Sequence, residues 1–122
     1  MPYNNIWKDR GLNRTFTKST SGQEVLESNL ALHGDERFDR IDYVINDFLG
    51  IAEFEVSKAD IEIISTIDNV SAISKKNLKI AIIATNSSLL EWINLYLEKM
   101  QGSAYECSIF SQYDDAYQWA TQ

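Results

Sequence analysis

The alternation of short apolar runs with helical segments constrains the fold of this chain more than any other feature. Three runs, 42–49, 78–84 and 105–110, are densely apolar or alternate apolar with polar residues, as strands do. A helical stretch follows each run. Strands that alternate with helices are joined by crossover connections, which produce a parallel or largely parallel sheet covered by helices.

The first residues predict a β-hairpin ahead of this alternation. Segments 3–8 and 12–17 carry β-favouring residues on either side of Asp9-Arg10-Gly11, which is typical of a turn. The resulting element order is β-β-α-β-α-β-α-β-α. The sequence therefore predicts an α/β fold with a five-stranded, mixed or mostly parallel sheet and four helices, built by residues 1–122 as a single domain.

Serine residues predict where the four helices begin. Each is followed three positions later by an acid, so that its hydroxyl can accept from a backbone N–H while the acid lies near the positive end of the helix dipole. The four pairs are Ser21 with Glu24, Ser57 with Asp60, Ser88 with Glu91, and Ser111 with Asp114. Gly102, after Lys99 and Met100, predicts the end of the third helix.

Apolar spacing predicts which side chains the helices bury. The predicted sets are Ile63, Ile64, Ile67 and Val70 on the second helix, Leu89, Ile93, Tyr96, Leu97 and Met100 on the third, and Tyr113, Ala116, Tyr117 and Ala120 on the last. Trp92 and Trp119 fall at the flanks of these faces. We expect both rings to be partly exposed and to form an apolar patch.

Charge and composition exclude several classes of partner. The net charge is −7, from 18 acidic and 11 basic residues, so a nucleic acid or an anionic lipid surface would meet like charge. No apolar run approaches the roughly 20 residues of a membrane span. Cys107 is the only cysteine, and no secretory segment follows Met1, so we expect a cytoplasmic protein.

Catalytic and metal-binding patterns are missing from the sequence. His33 is the only histidine, and we expect it to lie at the end of the first helix, where a partly protonated imidazole would favour the helix C-terminus. Cys107 is expected to be a buried, inert thiol. We therefore predict no cofactor, no tightly bound catalytic metal and no enzymatic activity.

Asp47 is the acid placed best for function. It ends a strand-like run, and the carboxyl edge of a parallel strand is where α/β folds bind ligands. The alternative is a loop carboxylate that accepts backbone N–H groups.

Three stretches carry a resemblance to a known family. They are LHGDERFDRIDYVINDF at 32–48, LKIAIIA at 78–84 and DDAYQWA at 114–120. In these stretches the chain resembles the bacterial STAS-like domains described as similar to sporulation anti-sigma-factor antagonists. It resembles, more distantly, the lipid-binding lobe of phosphatidylinositol-transfer proteins. The resemblance implies a STAS-like domain of bacterial origin.

The antagonist family also suggests a modification site. In that family a strand ending in aspartate leads to a serine that opens the next helix and is phosphorylated by a partner kinase. Asp47 and Ser57 match this arrangement, but EVSK at 55–58 stands where the family has Asp-Ser-Ser-Gly. The resemblance implies phosphorylation of Ser57, and the alternative is that Ser57 only caps the helix.

The sequence thus favours a non-enzymatic protein-interaction or regulatory module that docks a protein partner through segment 48–57 and the following helix. The predicted partner-binding residues are Asp47, Glu53, Glu55, Ser57 and Lys58. The alternative is a binder of a lipid or another apolar small molecule, with Trp92, Tyr96 and Trp119 as candidate ligand contacts. A third hypothesis is an enzyme that uses Asp47 with a second carboxylate.

Overall fold

The structure is a computed structural model that describes residues 3–17, 19–75 and 77–122. Its strands are β1 (Tyr3–Trp7), β2 (Gly11–Phe16), β3 (Ser19–Ser21), β4 (Tyr43–Asp47), β5 (Glu53–Glu55), β6 (Lys79–Ile83) and β7 (Glu106–Phe110). Its α-helices are α1 (Gly22–His33), α2 (Lys58–Ser74), α3 (Ser87–Lys99) and α4 (Tyr113–Ala120). A 3-10 helix, Glu36–Arg40, lies between α1 and β4.

The main sheet has five strands in the order β1-β2-β4-β6-β7. The β1-β2 hairpin is antiparallel and every other neighbouring pair is parallel, which confirms the predicted α/β fold with a mixed sheet and four helices. The sequence did not predict β3 and β5, which form a separate two-stranded parallel sheet. This small sheet joins the segment before α1 to the segment before α2.

Alternation along the strands sends side chains to two faces of the sheet. On the three-helix face, α1, α2 and α3 pack on residues such as Val44, Ile80 and Ile82. On the α4 face, α4 is the one helix of the described residues that packs on the sheet. That smaller cluster contains Tyr43, Ile45, Ala81, Ile83, Ala116 and Ala120.

Two of the four predicted helix starts are confirmed. Ser21 and Ser57 are the N-caps of α1 and α2, each in a complete capping box. The start predicted at Ser88 was wrong, because Asn86 stands two residues earlier and its side-chain oxygen already accepts from the N–H groups of Ser88 and Leu89. The start at Ser111 was also wrong, because α4 begins one residue later, after a Gln112 cap without a side-chain hydrogen bond.

The predicted buried set of α2 was half right. Ile63 and Val70 are 47% and 61% exposed, whereas Ile64 is buried and Ile67 is partly buried against the core. The residues that α2 buries are Ile61, Ile64, Ser65, Asp68 and Ala72. Apolar spacing does not identify this set because two of its members are polar. Asp68 is buried because other elements supply its hydrogen-bond donors.

The inward face predicted for α4 was half right. Ala116 and Ala120 are buried, but Tyr113 and Tyr117 are exposed and stack on each other with ring centroids 5.9 Å apart. The alanines bring α4 close to the sheet, and this leaves the two larger rings at the rim. The third helix follows its prediction more closely, with Leu89, Ile93, Tyr96 and Met100 buried and Leu97 partly buried.

Glycine is required at two turns. Gly102 has φ of +82°, a conformation that other residues rarely adopt, which confirms the predicted exit from α3. At Gly11 a Cβ atom would lie 2.1 Å from Cζ of Tyr43, so this start of β2 accommodates only glycine without a shift. Within the residues described, no helix has the length and apolar character needed to cross a bilayer.

Candidate functional site

Segment 48–57 is held at the carboxyl edge of the sheet by its apolar side chains. The N–H of Phe48 donates to the carbonyl of Ile83 at 2.9 Å, and the Phe48 ring stacks on Phe16 with centroids 4.6 Å apart. Ile51 is buried, and Phe54 packs against the core. The segment is therefore anchored at three positions along its length.

Between these anchors the segment presents an apolar side chain among charged ones. Leu49 is 46% exposed, and Glu53 and Glu55 point outward from β5 on either side of Phe54. Ser57 and Lys58 are exposed at the start of α2. We call this set of Leu49, Glu53, Glu55, Ser57 and Lys58 the 48–57 surface. It contains all of the predicted partner-binding residues except Asp47.

Asp47 and Ser57 both bond within their own loops. One carboxylate oxygen of Asp47 accepts from the N–H of Leu49 at 2.9 Å. Asp47 therefore acts as a loop carboxylate that accepts a backbone N–H, the alternative to a ligand-binding role. The Ser57 hydroxyl accepts from the N–H of Asp60 at 3.1 Å, and the Asp60 carboxylate accepts from the N–H of Ser57 at 3.0 Å. No metal-ligand cluster of three His, Cys, Asp or Glu side chains occurs in the described part of the chain.

A cavity of about 70 Å³ lies between the sheet and the helices of the three-helix face. Trp92 and Tyr96 line it, as the ligand-binding hypothesis requires, and Trp92 is partly exposed as predicted. Trp119 lies on the α4 face against Phe110, with ring centroids 5.5 Å apart. The two tryptophans are thus separated by the sheet, and the apolar patch predicted for them was wrong.

The wall of this cavity contains a buried arginine. Arg14 on β2 is 3% exposed, its Nε donates to Oδ1 of Asn46 at 2.9 Å, and its Nη2 donates to Oδ1 of Asn29 at 2.7 Å. Its Nη1 has no hydrogen-bond partner among the described protein atoms. Burial lowers the Arg14 pKa to about 10, which leaves the guanidinium charged at neutral pH.

Asp68 on α2 is the counter-charge. It accepts from Nδ2 of Asn29 at 3.2 and 3.3 Å and from the hydroxyl of Tyr96 at 2.6 Å. Burial raises the Asp68 pKa to about 6, although the Tyr96 hydrogen bond and the Arg14 charge oppose the shift. Asn29 therefore bridges Arg14 and Asp68, and we call Arg14, Asn29, Asp68 and Tyr96 the buried polar cluster.

His33 and Cys107 lie beside this cluster. Nε2 of His33 is 3.5 Å from Oδ1 of Asp68, but burial and the Arg14 charge lower the His33 pKa, which disfavours the charged imidazole. His33 is the last residue of α1, as predicted, but its surroundings oppose the protonation that was expected there. Cys107 is only partly buried, whereas a buried thiol was expected, and burial raises its pKa to about 12, which disfavours the reactive thiolate.

Sequence reasoning missed the buried polar cluster. Its members come from β2, α1, α2 and α3, so nothing in the local sequence connects them. One signal was present, because Arg14 alternates with Leu12 and Phe16 and so occupies an inward position of β2. A charged residue at such a position indicates a buried partner.

Comparison with known proteins identifies no relative of this chain. No family model, curated protein or solved structure matches it. The STAS-like resemblance therefore stays a prediction, and any function has to be argued from the two sites themselves.

Proposed function

We propose that this chain is a non-enzymatic regulatory module that docks a protein partner on the 48–57 surface. The observation that supports this most is Leu49, a large apolar side chain that is 46% exposed beside outward-pointing glutamates. Interfaces commonly combine an apolar anchor with a charged rim. A partner with an apolar pocket bordered by lysine or arginine would complement this surface.

The anchored backbone supports docking energetically. Phe48 and Ile51 are buried, and the Asp47 carboxylate accepts from the N–H of Leu49, whose side chain is exposed. A surface ordered before binding loses little conformational entropy when the partner arrives. The 48–57 surface therefore suits recognition by a preformed loop.

Ser57 is the proposed point of regulation on this surface. Its hydroxyl is exposed and lies at the N-terminus of α2, where the helix dipole tolerates negative charge. Phosphorylation there would add charge to a surface that already carries Glu53 and Glu55. We propose that Ser57 caps α2 in the unmodified protein and that its phosphorylation changes the affinity for the partner.

Lipid binding is supported less well. Trp92 and Tyr96 line the cavity, but its volume of about 70 Å³ is far below the roughly 300–1,000 Å³ of common small-molecule pockets. A lipid chain would require the three helices to separate from the sheet.

Photo-crosslinking tests the docking proposal and identifies the partner. Benzoylphenylalanine at position 49 should crosslink a discrete host protein. The control position is Asp9, an exposed turn residue at the opposite, amino edge of the parallel strands, where no crosslink is expected.

The purified partner then allows a quantitative test. The double variant Glu53→Lys with Glu55→Lys should weaken binding at least tenfold, because it reverses the charge of the rim. The matched control is Glu27→Lys with Glu91→Lys, which makes the same change in net charge at exposed sites on α1 and α3. Equal crosslinking from positions 49 and 9, or equal affinities of the two double variants, would contradict docking on this surface.

A further inference from the structure

The buried polar cluster leaves one strong hydrogen-bond donor without a protein acceptor. Two nitrogens of Arg14 are bonded to Asn46 and Asn29, while Nη1 is buried and unpartnered among the described protein atoms. Arg14 lines the cavity of about 70 Å³. A buried donor without an acceptor is costly, so the cavity favours a molecule that brings one.

We propose that this cavity binds a short-chain monocarboxylate, with Nη1 of Arg14 donating to the carboxylate. This site is separate from the 48–57 surface, and it stands whether or not that surface docks a protein.

The chemistry of the walls selects this class of ligand. Arginine prefers carboxylates because its N–H groups form short, charge-assisted hydrogen bonds with them. Most other lining residues are apolar, among them Val44, Ile64, Ile80 and Ile93, and they suit an alkyl group. The ligand therefore needs one charged end and one apolar end.

The cavity volume limits the length of the ligand. A cavity of roughly 150 Å³ holds a benzene molecule, and this one is about half as large. Butyrate has as many non-hydrogen atoms as benzene and exceeds that space, so acetate and propionate, with two and three carbon atoms, are the candidate ligands. Propionate is the probe, because its ethyl group also tests the apolar wall.

The cluster can also accommodate the added negative charge. The titratable groups that line the cavity are Arg14 on β2, His33 on α1, Asp68 on α2, Tyr96 on α3 and Tyr105 before β7. Burial has already brought the Asp68 pKa to about 6, and a second carboxylate nearby favours its neutral form further. Proton uptake by Asp68 then leaves the Arg14 charge free to balance the ligand.

A route to the cavity would open beside α3. A surface pocket of about 150 Å³ lies between segment 48–57 and the start of α3. It shares Phe54, Leu89 and Trp92 with the cavity wall. Rotation of these side chains would connect the two spaces.

Titration of the full chain with propionate at pH 6, followed by NMR, tests the proposal. We expect saturable binding at one site, with shifts of the Arg14 Nε and Trp92 indole resonances. Propionamide has nearly the same shape but no charge, and it should bind at least tenfold more weakly. Equal binding of propionamide, or no saturation by propionate, would overturn the assignment.

Two pairs of variants locate the site. Arg14→Lys removes the fork of donors and should abolish saturation, whereas Arg10→Lys, at an exposed arginine, should not. Val44→Ile places a methyl group in the cavity wall and should weaken propionate at least tenfold, while Val70→Ile, on the exposed side of α2, should have no effect. If Arg14→Lys fails to fold, the valine pair decides, and unchanged affinity in Val44→Ile contradicts the site.

Discussion

The two faces of the sheet bury very different chemistry. The three-helix face contains the charged Arg14 and Asp68 within an apolar core, whereas the α4 face is closed by Ala116 and Ala120. Burying a charge requires donors and acceptors from several directions. Three helices converge on one face and supply them through Asn29 and Tyr96, while the described part of the other face is closed by a single short helix that buries alanines.

Removing one of the buried charges of the three-helix face should cause the largest loss of stability. Arg14→Met leaves Asp68 without its counter-charge and leaves the side-chain oxygens of Asn29 and Asn46 without their arginine donor, and we expect a loss of about 3–5 kcal/mol in unfolding free energy. Urea denaturation measures it. Arg10→Met is the matched control at an exposed ion pair with Asp42, and its urea midpoint should hardly move. Equal shifts in both variants would show that Arg14 is not buried as described.

The next largest effect is a pH dependence of stability, which should come from the buried Asp68 on the three-helix face. The Asp68 pKa rises from 3.8 to about 6 on folding, so between these values the native state holds a proton that the unfolded state has released. Stability therefore falls as pH rises from about 4 to 6, by roughly 2–3 kcal/mol from this group. The lowered pKa of His33 acts in the opposite direction below its unfolded value of 6.5.

The Asp68 contribution is isolated by substitution. Asp68→Asn should remove the decrease in unfolding free energy that Asp68 causes between about pH 4 and 6. Urea titrations of the parent and the variant at several pH values measure the difference. Asp114→Asn, at an exposed site on α4, should follow the parent profile. A parent-like profile for Asp68→Asn would mean that Asp68 is ionised equally in both states.

The α4 face should be sensitive to volume. Ala116 is fully buried between α4 and the sheet, so Ala116→Leu overpacks the contact and should cost about 1–3 kcal/mol. Gln118→Leu introduces the same side chain at an exposed position of α4 and should leave the melting temperature nearly unchanged. If Ala116→Leu melts with the control, α4 does not pack closely on the sheet.

The smallest expected loss of stability comes from removing a helix cap, and it should differ between the starts of α2 and α4. Ser57 caps α2, so Ser57→Ala should cost about 1 kcal/mol. Ser111 precedes α4 without capping it, so Ser111→Ala should change the melting temperature much less. Equal losses in thermal unfolding would mean that Ser111 also stabilises its helix.

The sequence predicted the main sheet because its strands are marked by local patterns. Ile80, Ala81 and Ile82 belong to an apolar run that fits a strand buried on both sides, and the hairpin is marked by its turn. Capping was predicted correctly at Ser21 and Ser57, where the serine and the acid three residues later form a complete capping box. At α3 it was not, because Asn86 lies closer to the first free N–H groups than Ser88 does.

The candidate sites were predictable only in part. Segment 48–57 was proposed because it follows the carboxyl end of a parallel strand, a place defined by the order of elements along the chain, and because the family resemblance implies a modified serine at its end. The buried polar cluster depends on contacts between residues far apart in sequence, such as Arg14 with Asn46 and Tyr96 with Asp68. Apolar periodicity treats Asp68 as a solvent-facing residue, and this is why the predicted buried set of α2 was only half right.

The order of the strands in the main sheet also has a consequence for synthesis on the ribosome. From β1 to β7 each new strand joins the edge left by the one before it, so the sheet can grow in the direction of translation. The three-helix face is covered step by step as α1, α2 and α3 emerge. The α4 face has no cover until α4 emerges, which leaves Ile45 and Ile83 accessible to chaperones throughout that interval.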